Sequence, residues 1–218
     1  KKADWGGGVY LVGARNQTDP PRFTRQGGTI SENTAGASEG GGGGVYVGEK
    51  CSFTMDGGAI TGNKATAGNG GGIYIHFNVG TVSISNATIT GNKASATGNT
   101  SYGHGGGISS ARGVTVKGGT ITGNNSTFEG GGIYGKGAIT LTDATVTDNN
   151  QYDVYYDGKE STTPELTVSG LVQAGYYANY DWKLPIFVSG ALNDDSVIRV
   201  GVRDGITPNA GGSLLIAA

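Results

Sequence analysis

Cysteine is almost absent: Cys51 is the only one in 218 residues, so no internal disulfide can staple the chain. Proline is scarce, at five, which excludes a proline-rich linker. Charge is sparse, with 15 basic and 17 acidic residues and no basic run beyond Lys1 and Lys2. That pattern excludes the electrostatic footprint of nucleic-acid binding and a polybasic membrane patch. No apolar stretch approaches the roughly 18 residues of a membrane helix. No 3.6-residue periodicity of useful length occurs, so helices are not expected. The opening KKADWGGGVY has no apolar stretch behind its lysines, unlike a signal peptide. It reads as the interior of a repeat, and a piece of a longer protein is the expectation.

What the chain has instead is glycine, 44 of 218 residues, against a typical usage of about 7 per cent. There is no G-X-Y period, so collagen is excluded. Val and Ile recur at regular intervals, which argues against disorder.

Two anchors recur in strict alternation. One is a glycine triplet followed by apolar-Tyr: GGGVYL from Gly6, GGGVYV from Gly42, GGGIYI from Gly70, GGGISS from Gly105 and GGGIYG from Gly130. The other is a Thr-rich stretch ending in Asn33, Asn63, Asn92, Asn124 or Asn149, at spacings of 30, 29, 32 and 25. Between them lies a third stretch, RFTRQ, SFTMD, VSIS, VTVK or ITLTD, with alternating apolar and hydroxyl residues. Period two means strand, apolar side inward. One turn cannot bury its inward face alone, but stacked turns can. The expected fold is all-β: a single-stranded right-handed parallel β-helix, or β-solenoid, of about seven coils. Each coil holds three short strands, and the C-terminal capping coils are irregular. Residues 1–150 form the regular repeats and 151–218 the closing coils and cap, with strands at Ile186–Val188 and 197–202. Ile30, Ile60, Ile89, Ile121 and Val146 should form an inward column. Asn33, Asn63, Asn92, Asn124 and Asn149 should form an asparagine ladder at one corner.

The string GG[GA][VI][YI]…FTMxGGxI[TS]GNxA resembles the glycine-rich parallel β-helix repeats of bacterial cell-surface proteins. It is similar, more distantly, to the repeats of polymorphic outer-membrane adhesins. The resemblance covers residues 5–150 and is specific for fold rather than activity. It implies an extracellular location on a bacterial cell surface, within a longer surface protein. The partner it implies is a glycan or protein on a host cell or neighbouring bacterium, with no nucleic acid and no membrane insertion.

Parallel β-helices also host polysaccharide lyases and glycoside hydrolases, which need carboxylates converging from adjacent coils. Aligning the turns pairs no two acids on neighbouring rungs. The Asp56 column, for example, reads Gln26, Asp56, Ser85, Lys117, Thr142. No catalytic residue, metal ligand or cofactor is assigned, and His76 and His104 are expected to be solvent-facing loop residues. A binding role is read instead from two features. Tyr10, Tyr46, Tyr74 and Tyr134 should stand outward in one stripe, broken by Ser109, offering rings to a sugar or protein. The variable loops between Asn and the next triplet should gather at one corner, with Tyr102, His104, Phe128 and Glu129 as candidates. A third reading is ice binding by the outward Thr-x-Thr columns. The leading expectation is a non-catalytic adhesin or stalk.

Overall fold

A computed structural model describes residues 2–13, 19–36, 40–96, 102–158, 166–178, 186–201 and 216–217. All its regular structure is β, and every strand pairing is parallel. The chain winds as a β-solenoid. One regular turn runs through Val45–Val47, Ser52–Asp56, Ala59–Thr61 and Lys64–Ala65. These positions define a tyrosine face, a long face, a threonine face and a short fourth strand. Each stacks on its equivalent one turn away, for example Tyr46 on Tyr74, Met55 on Ile84, Ile60 on Ile89 and Ala65 on Ala94.

The fourth strand corrects the expectation of three per coil. It has two residues, one outward and one inward, such as exposed Lys64 and buried Ala65. Two residues are too few to show a period in sequence. The four-stranded pattern is complete in four turns, and a fifth has only its first three strands, Ile133–Gly135, Ile139–Thr142 and Thr145–Thr147, against the about seven coils expected. Beyond them the rungs widen. Gln173–Ala178 pairs at its start with Thr145 and Val146 and at its end with Val154–Tyr156, so it spans the threonine and tyrosine faces in one strand. The strands expected at 186–188 and 197–202 occur as Ile186–Leu192 and Val197–Gly201. Trp182, expected in the cap, lies outside the described residues.

The core follows from the alternation. Phe53 and Met55, Val114 and Val116, and Ile139 and Leu141 point inward and are buried, while the intervening Thr54, Thr115 and Thr140 are not. The column Ile30, Ile60, Ile89, Ile121 and Val146 is buried and continuous. Burying one such side chain contributes about 1.5–3 kcal/mol. One inward position departs from the pattern. Arg25 stands in the column of Met55, and its Nε is buried without a hydrogen-bond partner among the described residues. Its alkyl stem can lie over the end of the apolar column.

The glycine triplet meets three separate needs, clearest at Gly70, Gly71 and Gly72. Gly70 turns the corner at φ 65°, the left-handed region. A Cβ on Gly71 would lie 2.6 Å from Lys93 N and 2.5 Å from Gly106 O, because the short strand crosses directly beneath it. A Cβ on Gly72 would lie 2.6 Å from Gly107 O and 3.2 Å from the Asn92 side chain. The triplet is the narrow waist of the turn, set against the ladder.

That ladder is continuous. Asn33, Asn63, Asn92 and Asn124 each donate from Nδ2 to the Oδ1 of the next asparagine at 3.0 Å. The same Oδ1 atoms accept the backbone N–H of the preceding asparagine, also at 3.0 Å. The second Nδ2 hydrogen goes to backbone carbonyls, such as Ile60 O for Asn92. Buried amides are thereby paired in both senses along the axis.

Candidate functional site: an aromatic face and its corner loops

Tyr10, Tyr46 and Tyr74 alternate with inward core residues and stack rung on rung, with ring centroids 5.2 and 5.3 Å apart. That separation matches the roughly 4.8 Å between paired strands, so parallel pairing alone places the rings in contact. Ser109 occupies the next rung. Beyond it, Tyr134, Tyr155 and Tyr177 resume the stack at 5.9 and 5.2 Å. Tyr155 and Tyr177 belong to the stripe but follow no GGG triplet, so the repeat motif did not mark them. DVYYDG carried the only signal, a Tyr after an apolar residue.

The stripe faces away from the main core, yet most of it is covered. Only Tyr10 is well exposed, at 44%, whereas Tyr46 and Tyr134 are buried. The expectation of an open tyrosine stripe is therefore corrected. The cover is a second set of rings. Trp5 lies on Tyr46 at 5.4 Å and near-parallel. His104 lies on Tyr134 at 4.5 Å. Tyr152 lies on Tyr177 at 4.2 Å. Trp5 and His104 occupy the same position in their turns, immediately before the triplet.

His104 is buried, against the expectation of a solvent-facing loop histidine. Its ring sits beside the rung where Ser109 replaces a tyrosine, and Phe128 packs against it at 5.6 Å. Its Nδ1 faces Glu129 twice, 2.8 Å from Oε2 and 3.3 Å from the backbone N–H; when protonated it donates to the carboxylate. This hydrogen bond is the main reason the Glu129 carboxyl is held below its ordinary value, with burial opposing. The His104 backbone N–H donates to Asn69 Oδ1 at 3.0 Å. His104 from one loop and Phe128 and Glu129 from the next thus meet over Tyr134. Tyr102 is half-buried and acts electrostatically on Tyr74. His76 is elsewhere, tilted against exposed Phe77 at 4.2 Å.

Tyr134 and Tyr155 are the electrostatic centre. The Tyr134 hydroxyl donates to Asp157 Oδ2. Burial first, then that hydrogen bond and the Asp157 charge, push the Tyr134 phenol far above its usual range. Tyr155 is raised as well, by burial first, then by Glu129, Asp157, Tyr177 and Tyr152. In the upper stack burial, with the neighbouring tyrosines next, pushes Tyr46 up to about 12. Lys136 Nζ is 6.0 Å from the Tyr134 ring centre.

The lower end of this face departs from the repeat. Pairing in register puts Gln151, Tyr152 and Asp153 where the turn before has Gly130, Gly131 and Gly132. Gln151 and Tyr152 both take left-handed backbone, at φ 49° and 74°. Asp153 ends the ladder: its Oδ1 accepts both the N–H and Nδ2 of Asn149, at 2.9 and 3.0 Å. The sequence repeat does not mark Asp153 as part of the ladder, because it stands in the triplet position rather than at the Asn corner. Among the described residues no three His, Cys, Asp or Glu side chains converge as a metal site.

The other acids sit apart from this cluster. Asp56 accepts from Asn86 Nδ2 at 3.1 Å, and Asp143 accepts Leu171 N–H at 2.9 Å. Both are at the corner between the long and threonine faces.

Fold and site together define a parallel β-solenoid with an asparagine ladder inside one corner and a covered aromatic stack on one face. No family model matches the chain, and no curated protein or solved structure matches it either.

Proposed function

We propose that this chain is an extracellular domain of a bacterial surface protein, an adhesin or stalk that binds a glycan or protein without acting on it. The observation that carries this reading is the aromatic and carboxylate cluster of His104, Phe128, Glu129, Tyr134, Tyr152 and Asp157. It is mounted on a rod whose turns are locked by the ladder. One exposed ring of this cluster, Tyr152, beside carboxylates suits recognition, and a rigid scaffold holds it in place without an ordering cost. The GGG[VI]Y resemblance to surface-protein repeats supports the location.

The test is a glycan-array and mucin-binding screen of the purified chain, with product analysis on every glycan that binds. Saturable binding with intact product supports the reading. Cleaved product makes the protein a polysaccharide-active enzyme and overturns it. Absence of binding to any glycan or protein leaves only the spacer role.

A further inference from the structure

Tyr152 combines three features; among the described rings of this face Trp5 has the first two, exposure and near-parallel stacking, and lacks the third. Tyr152 is exposed, at 44%. Its ring lies flat on Tyr177, 4.2 Å away and within 19° of parallel, so one face is supported and the other is turned outward. Its backbone is left-handed, and the neighbouring Gln151 is left-handed too. A bulky residue at such a φ is strained, and two in succession are held only where the surroundings demand it. The equivalent positions one turn earlier are Gly130 and Gly131, so glycine is the residue the repeat supplies there.

Among the described residues, the charged groups that act on the neighbouring ring are acidic. Glu129 and Asp157 both act on Tyr155, the ring that Tyr152 also touches at 5.7 Å. Asp153 follows directly and ends the ladder. Among the described residues, Lys136 is placed over Tyr134 rather than over Tyr152. Carboxylates accept hydrogen bonds from hydroxyl groups and repel anions.

Resting on the binding function proposed above, we propose that Tyr152 is the platform for a pyranose ring. The site takes neutral oligosaccharides in preference to sialylated or sulfated ones. The apolar face of the sugar lies on the outward face of Tyr152, and its hydroxyls reach the carboxylate of Glu129. The strained backbone holds the ring flat over Tyr177 before the sugar arrives.

The experiment measures binding of cello- and N-acetylglucosamine oligomers, desialylated mucin and native sialylated mucin to the full chain and two variants. Neutral probes should bind at least tenfold more tightly than the sialylated mucin. Tyr152→Gly should weaken neutral binding at least tenfold without lowering Tm, because glycine relieves the backbone. Tyr152→Phe should stay within about threefold of the parent. Neutral binding unchanged in Tyr152→Gly, or sialylated mucin bound as tightly as neutral probes, overturns the inference and leaves the adhesin reading standing. No binding to any glycan overturns the inference and the glycan arm of the proposed function, leaving a protein partner or the spacer role.

Discussion

The turn that opens at Gly70 and the one that opens at Gln151 fill the same three backbone positions in opposite ways. In the first, the chain returns through the short strand Lys93–Ala94, which passes under Gly71, and Asn92 stands under Gly72. In the second there is no short strand, since Gln173–Ala178 runs straight from threonine face to tyrosine face. There is no ladder asparagine to avoid either. The room left by the missing strand admits Tyr152, and the missing asparagine is replaced by the Asp153 carboxylate. Only the corner itself persists, and Gln151 meets it with a left-handed φ. The glycine triplet is thus three independent requirements, and each can be lifted separately.

The largest effect should come from closing the waist in a regular turn. Gly71→Ala forces a Cβ against the backbone of Lys93 and Gly106, where no flexible side chain can yield. Urea unfolding should show a loss of about 3 kcal/mol or more. Tyr152→Ala, in the position of a middle glycine, should cost less than about 1.5 kcal/mol, mainly the lost ring contact. Equal costs at the two sites would end the account of the waist.

The ladder gives the next contrast. Asn92→Ala removes the acceptor for Asn63 N–H and Nδ2 and the donor to Ile60 O, all buried. Several buried groups lose their partners, and a loss of about 3 kcal/mol is expected. Asp153→Ala removes only the two terminal bonds from Asn149, and about 1–2 kcal/mol is expected. Asp153→Asn keeps a carbonyl oxygen and should be close to neutral. Thermal unfolding of the three variants checks the order, and a milder effect at Asn92 than at Asp153 contradicts it.

The fold was legible because stacking makes each rung repeat its neighbours' constraints. Ile60 and Ile89, Phe53 and Val82, and Asn63 and Asn92 are paired partners in space, so their recurrence in sequence reports the register directly. The short strand was not legible because two residues carry no period. The burial of His104 was not legible for a different reason. Whether a loop residue reaches a gap depends on loop geometry, and nothing in KASATGNTSYGH sets its direction. Asp153 was misjudged because the ladder was read as asparagine only. A carboxylate oxygen takes the same two donors, and the position shifts from the Asn corner to the triplet. Arg25 was readable in principle, since RFTRQ puts it at an inward parity.

A smaller effect, of opposite sign, tests the remaining corner. Gln151→Gly substitutes the residue suited to a φ of 49°. A left-handed non-glycine residue costs about 1–2 kcal/mol, and glycine gives back part of that through the freedom it adds to the unfolded chain. A net gain of about 0.5–1 kcal/mol is expected in urea unfolding. Gly70→Ala at the matching corner should lose stability instead, and a gain there would mean the corner is not what selects glycine.

The two halves of the tyrosine stack should separate at high pH. Tyr46 is pushed up to about 12 and Tyr74 upward, both mainly by burial. Tyr134 and Tyr155 are raised beyond that, by burial with the added charges of Asp157 and Glu129. A phenol raised in the folded state favours folding fully below its ordinary value of 10.0. That contribution is lost as pH rises from there through the folded value. Stability should therefore hold up to about pH 10 and fall steeply above it. Some tyrosines should ionise only as the chain unfolds, seen as a phenolate absorbance step coincident with loss of the β signal in circular dichroism. Tyr134→Phe and Tyr155→Phe should remove more of that coincident step than Tyr46→Phe, because their phenols are the harder to ionise in place. The reverse order would mean that the lower stack, under Tyr152 and His104, is the more open of the two.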